Sequence, residues 1–119
     1  MVGVVGTDYP RDMFGRFERL GIGVNGLHVQ KGKTFHWKGH YGSNLNEAVT
    51  LKTDLNVFAR FKPMLSAEER VCPYLFLANI DPALQLSVLN QMSRPRWIAC
   101  DTMNLWIKIA RPHLIKVLK

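Results

Sequence analysis

Met1-Val2-Gly3-Val4-Val5-Gly6 is apolar at every position and leads within four residues to a helical stretch beginning near Pro10. A strand without polar alternation belongs to a parallel sheet covered by helices on both faces. The far end is helical, Asn104 to Lys119, with no strand after it. Natural domains seldom begin or end this way, so the chain reads as the interior of something larger.

Further along, the same pattern recurs. Helix one is expected from Pro10 to Leu20, with Asp12 at the positive end of its dipole, Gly21 as its stop, and Met13, Phe14, Phe17 and Leu20 as its apolar stripe. Tyr74-Leu75-Phe76-Leu77-Ala78 and Arg96-Trp97-Ile98-Ala99-Cys100 read as the second and third buried strands. Between them Asp81 caps a helix that starts on Pro82 and runs to Met92. Ser66-Ala67-Glu68-Glu69 has the form of a capping box. The last helix, Leu105 to Leu118, should kink or restart at Pro112. Strands alternating with helices predict an α/β fold, a partial parallel Rossmann-like sheet in which Val2–Gly6, Tyr74–Ala78 and Arg96–Cys100 lie side by side.

Residues 23–62 have another texture. Gly23, Gly26, Gly32, Gly39 and Gly42 punctuate short alternating segments. Leu27–Gln30 and Thr34–Tyr41 are read as antiparallel strands joined by Lys31-Gly32-Lys33, with a third extended piece over Ala48–Lys52. The segment is too long for a plain loop, so it is assigned as an antiparallel β-lid inserted in a single partial domain whose core is 1–22 and 63–119.

Composition narrows the function classes. The 119 residues can bury a core, the hydrophobic fraction of 47% argues against disorder, and no apolar run approaches the ~20 residues of a membrane span. Cys72 and Cys100 are read as reduced core thiols of a cytoplasmic protein. The formal charge is +7, and Arg94, Arg96, Lys108, Arg111, Lys116 and Lys119 stand against Asp101 alone in the last quarter. Such a surface is either a solvated face or one that attracts an anionic partner.

Ligands of open α/β sheets bind beyond the carboxyl ends of the strands. Those ends carry Thr7 and Asp8, then Asn79 and Asp81, then Asp101, Thr102 and Asn104, side chains suited to a polyhydroxylated ligand. Asp8 and Asp81 are also well placed to cap the helices that follow. In Thr34–Tyr41, strand alternation puts Phe35, Trp37 and Tyr41 on one face and His36, Lys38 and His40 on the other. Four strand residues separate the two histidines by about 13 Å, too far to share one metal ion. Asn44-Leu45-Asn46-Glu47 lies in a turn of the insertion and is discounted, and no phosphate-cradling glycine loop, Ser/His/Asp set or Cys-x-x-Cys is present.

The order of these parts resembles the ribokinase-like (PfkB) carbohydrate kinases. Val2-Gly3-Val4-Val5-Gly6-Thr7-Asp8 with its helix ending Leu20-Gly21-Ile22 is similar to that family's early strand and helix. Leu55-Asn56-Val57-Phe58 resembles the end of its lid, Phe76-Leu77-Ala78-Asn79-Ile80 its next core strand, and Asp101-Thr102-Met103-Asn104-Leu105-Trp106 a strand end bearing aspartate, asparagine and tryptophan. The resemblance implies a sugar or nucleoside substrate, ATP and Mg2+ as donor and cofactor, and pairing of lids into a homodimer, rather than a membrane or nucleic-acid partner. It makes Asn79 a sugar contact, with Asp101 and Asn104 beside it and Phe35 and Trp37 on lid strands that close over the substrate. The family's Gly-Gly-x-x-x-Asn segment and its Gly-Ala-Gly-Asp motif, which holds the anion hole, catalytic base and most of the ATP pocket, are absent. The expectation is therefore an internal part of such a kinase, inactive alone, with no catalytic residue assigned. The rival readings are a small basic RNA-binding module using the aromatics of the insertion, and a ligand-free structural or dimerisation remnant.

Overall fold

The computed structural model describes residues 1–119 and divides them into two compact units, Met1–Phe61 and Lys62–Lys119. The chain is a mixed α/β protein of six short strands and five helices, the strands arranged as three two-stranded ladders. No helix is long and apolar enough to cross a membrane.

In the first unit, strand β1 (Val2–Gly6) runs into helix α1 (Asp12–Arg19) and returns as strand β2 (Gly26–Gln30), which pairs parallel with β1 from Val2↔Gly26 to Gly6↔Gln30. This is a complete βαβ unit, and Val4 and Val5 are buried in it. Gly21 stops α1 as its position predicts. At φ +71° it lets Ile22 N donate to Phe17 O (2.9 Å) and Gly21 N to Glu18 O (2.9 Å), the paired bonds of a Schellman motif. Met13, Phe14 and Phe17 are half-buried, whereas Leu20 lies past the last helical turn and is exposed.

Two readings of the insertion are corrected here. Leu27–Gln30 does not form a hairpin with Thr34–Tyr41 through Lys31-Gly32-Lys33; it belongs to β2 and pairs parallel with β1. The antiparallel hairpin is instead strand β3 (His36–Tyr41) against strand β4 (Ala48–Asp54). The cause is the end of β1. Gly32 O accepts from Thr7 N (2.9 Å) and from Thr7 Oγ1 (3.2 Å), so the glycine segment is bound to β1 and cannot close a turn on β2. Within the hairpin Lys38 pairs with Lys52 but Gly39 with Thr50, leaving Leu51 as a bulge. His36, Lys38 and His40 alternate with Trp37, Gly39 and Tyr41 as expected, and Asp54 receives Lys52 (2.8 Å) and faces His36 (3.7 Å). A 3-10 turn over Asn56–Arg60 closes the unit with Val57 buried, and Phe61 follows it, also buried.

In the second unit, helix α2 (Ala67–Arg70) carries the predicted capping box. Glu69 N donates to Ser66 Oγ (3.2 Å) and Ser66 N donates to Glu69 Oε2 (2.8 Å). Strand β5 (Tyr74–Leu77), helix α3 (Pro82–Leu89) and strand β6 (Trp97–Cys100) form a second βαβ unit, with β5 and β6 parallel from Tyr74↔Trp97 to Leu77↔Cys100. Asp81 caps α3 through Ala83 N (2.8 Å), with Pro82 in its first turn. Pro112 restarts the last helix. Helix α4 (Asn104–Ile109) ends at Ala110 (φ −127°, ψ 22°) and helix α5 (Arg111–Val117) begins beside it. Helices α3 and α5 pack against each other, and Leu77, Leu114 and Val117 are buried with Gln85.

The apolar strands Val2–Gly6, Tyr74–Ala78 and Arg96–Cys100 thus take parallel partners, but in separate two-stranded ladders, β1 with β2 and β5 with β6. The cysteines also depart from expectation. Both are free thiols, yet Cys72 is exposed, because it follows the four-residue helix α2 and precedes β5 instead of lying in the core.

Candidate functional site

The exit of the β5–β6 ladder is organised by one side chain. Gln85 sits on an otherwise almost wholly apolar helix, Pro82-Ala83-Leu84-Gln85-Leu86-Ser87-Val88-Leu89, and is only 1% accessible. Its Nε2 donates to Ala78 O (2.9 Å), to Asp101 O (2.9 Å) and, at the long limit, to Leu77 O (3.5 Å). Leu77 O also accepts from Asp101 N (2.8 Å). The last carbonyls of the two strands are therefore held together just where the backbone leaves the ladder, and the residues that follow emerge side by side. Gln85 Oε1 and Thr102 Oγ1 are buried there without a hydrogen-bond partner.

Asn79 and Asp101 are those emerging residues, and both are exposed. Asn79 is oriented by Trp106 of α4, whose Nε1 donates to Asn79 Oδ1 (2.9 Å). An indole can only donate, so this bond decides which way the amide points. The carbonyl is engaged, and the NH2 group is left as a pair of donors without a partner in the protein. The Asp101 carboxylate takes part in no ion pair or side-chain hydrogen bond and remains an acceptor. Asn104, exposed, opens α4 on the same side of the ladder. The exit thus presents a donor, an anionic acceptor, a second amide and a half-buried indole.

Cys100, the last residue of β6, lies in a setting that disfavours its thiolate. Burial pushes its thiol up, with the nearby Asp101 charge in the same direction and a hydrogen bond from Gln85 opposing, so the thiol stays protonated at neutral pH.

The exit of β1 is built for a different purpose. Asp8 does not cap α1, a correction to the strand-end reading. Its Oδ1 accepts from Thr34 N (2.7 Å) and Thr34 Oγ1 (2.7 Å), while Arg11, at the N-cap of α1, supplies no side-chain cap. Gly6 N donates to Thr34 Oγ1 (2.9 Å), Asn56 Nδ2 to Thr34 O (2.9 Å) and Val57 N to Lys33 O (3.1 Å). One foot of the β3–β4 hairpin is thereby bound to the end of β1, and the other foot is bound to the first. Thr7 and Asp8 are spent on this anchor and are not free to grip a ligand. Beside it a depression of about 410 Å3 is lined by Gly6, Thr7, Tyr9, Arg11, Phe14 and Val29.

The anchor makes a pH prediction. The Thr34 hydroxyl, then the Thr34 amide, hold the Asp8 carboxyl below its usual value, with Lys33 adding a smaller effect. A depressed folded-state pKa contributes stability that is present above about pH 4 and lost as pH falls through the folded value. Exchange of the Thr34 amide, corrected for intrinsic rate, should accelerate below about pH 4 in the native protein. Asp8→Asn keeps the accepting oxygen but removes the charge, and should flatten that dependence.

Phe35 and Trp37 lie in the first unit, and Asn79, Asp101 and Asn104 in the second. The structure brings the latter three to one ladder end. Trp37 lies across Gly39, where an added Cβ would strike its six-membered ring, and its Nε1 donates to Thr50 Oγ1 (3.2 Å). Phe35 precedes β3 and packs its ring against Phe58 (5.5 Å between centroids). Gln85 was not legible as a site residue, though a lone glutamine in an apolar helix was the available signal. In the sequence Trp106 is legible only as the end of the Asp101–Trp106 motif, and its role as the partner of Asn79 depends on the fold. No protein-family model matches this chain, and no characterised protein is significantly similar to it in sequence.

Proposed function

We propose that this chain carries the substrate-binding core and β-lid of a ribokinase-like carbohydrate kinase, and binds a sugar or nucleoside at the exit of β5 and β6. The observation that carries the reading is the Trp106-locked amide of Asn79 beside the free carboxylate of Asp101, at the carboxyl end of a parallel pair, where α/β folds take ligands. A vicinal diol matches this pair: one ligand oxygen accepts from Asn79 Nδ2 and a neighbouring hydroxyl donates to Asp101. Asn104 offers a further polar contact, and Trp106 an apolar ring edge. The wider reading includes a Rossmann-like arrangement of the core strands, a lid role for the β3–β4 hairpin with Phe35 and Trp37, and homodimer pairing through it.

ATP and Mg2+ belong to the same reading, but the donor set on this chain does not fit them. No three His, Cys, Asp or Glu side chains converge, and the Gly-Ala-Gly-Asp motif is absent. The role assigned to these residues is to bind and orient the substrate, with no step of phosphoryl transfer.

Calorimetric titration with a panel of pentoses, hexoses and nucleosides tests this. Saturable binding of at least one is expected, weakened about tenfold (~1.4 kcal/mol) by Asn79→Asp, which replaces the donor with an anion. Trp106→Phe frees the amide to rotate and should weaken binding by a smaller factor. Titrations that stay flat across the panel, or affinity indifferent to Asn79, would overturn the proposal in favour of a structural role.

A further inference from the structure

The depression of about 410 Å3 beside the hairpin anchor lies wholly within the first unit and has the volume of a small-molecule site. Gly6 and Thr7 on its lining are the last residue of β1 and the first beyond it, and Val29 comes from the neighbouring strand β2. It therefore opens at the carboxyl end of a parallel pair, the edge where α/β folds take ligands. The exit of β5 and β6 is a separate edge, in the other unit.

The walls are largely apolar. Tyr9 and Phe14 meet edge to face (5.9 Å between centroids, 89°), so each ring braces the other. Both are half-buried, whereas Val29 is 56% accessible, a branched apolar side chain that the protein itself covers little. Thr7 is spent, since its amide and its hydroxyl both donate to Gly32 O (2.9 and 3.2 Å). Arg11 is the only charged residue on the lining, and it is exposed and in no ion pair. The acids closest to it in sequence, Asp8 and Asp12, do not line the depression, and Asp8 is held by Thr34. A guanidinium without an internal carboxylate partner offers its planar pair of donors to a carboxylate or a phosphate. Two braced rings and one free arginine on a single concave surface match a ligand that is flat and apolar at one end and anionic at the other.

We propose that this depression binds a small aromatic anion, its ring against Tyr9, Phe14 and Val29 and its carboxylate or phosphate on Arg11. The site shares no residue with the exit of β5 and β6, and the proposal does not depend on the sugar reading.

Calorimetric titration of the full chain with benzoate and with phenyl phosphate tests it, with benzyl alcohol as the uncharged ring and acetate as the ringless anion. Saturable binding of benzoate, phenyl phosphate or both is expected, and the tighter of the two identifies the anionic group as carboxylate or phosphate. Arg11→Gln should weaken binding about tenfold, and Arg11→Lys, which keeps the charge but loses the fork, by a smaller factor. Val29→Ala, at an exposed position, should weaken it about threefold and leave the circular dichroism unchanged. In a proton–nitrogen correlation spectrum the Thr7, Tyr9 and Arg11 amides should shift and saturate together, while the Trp106 indole NH stays in place. Flat titrations with both aromatic anions, equal affinity for benzyl alcohol or acetate, affinity indifferent to Arg11→Gln, or saturating shifts confined to the second unit would each overturn the proposal.

Discussion

Gly6→Ala should destabilise the first unit by about 3 kcal/mol or more, the largest effect expected of any single methyl group in it. A Cβ at Gly6 would run into Gly32 O, the Lys33 carbonyl carbon and Thr34 N. These are backbone atoms, and each neighbour is pinned: Gly32 O by Thr7 N, Thr34 N by Asp8, Lys33 O by Val57 N and Thr34 O by Asn56. The overlap cannot be relieved by a rotamer change, so the Thr34 foot of the hairpin must part from β1. Hydrogen exchange at Val4, Val5 and Thr34 checks this, with a loss of protection of about a hundredfold or more expected at all three. Unchanged protection would mean that the anchor is not rigid.

Gln85→Leu should cost the second unit a comparable amount, about 3 kcal/mol, although the side chains are similar in size. The native amide supplies one nitrogen to three carbonyls at the ladder exit, two of them at 2.9 Å. Removing it leaves Ala78 O and Asp101 O without their side-chain donor in a part-buried site and takes the only side-chain donor from Leu77 O, and an unsatisfied buried acceptor costs about 1–3 kcal/mol. The denaturation midpoint should fall, and affinity at the strand exit should fall with it, because Asn79 and Asp101 leave the ladder through those carbonyls. A variant with native stability would show that the backbone bond Asp101 N→Leu77 O is sufficient alone.

What could be read from the sequence was local. Gly21 after an amphipathic helix, Ser66 three before Glu69, Asp81 before Pro82 and Pro112 within a helical run each act over a few residues, and each operates as read. Strand partnership is not local. The alternation in Leu27–Gln30 suits a hairpin as well as a parallel edge, and the choice was made by Thr7 holding Gly32, 25 residues away. Asp8 has the same ambiguity, since a short carboxylate after a strand can cap the next helix or reach a distant threonine. At the site, Asn79, Asp101 and Asn104 were legible because strand ends are legible. The polarity of the Asn79 amide was not, because it depends on an indole 27 residues later. Gln85 looked like one polar residue in an apolar helix, and only the carbonyls around it reveal why it is there.

The most direct test of the sugar-site claim is a proton–nitrogen correlation spectrum recorded during titration with the tightest-binding sugar or nucleoside of the panel. The account predicts that the Trp106 indole NH and the Asn79 side-chain amide shift together and saturate, while the Trp97 indole NH stays in place. A saturating ligand that leaves both of those signals unmoved would contradict it.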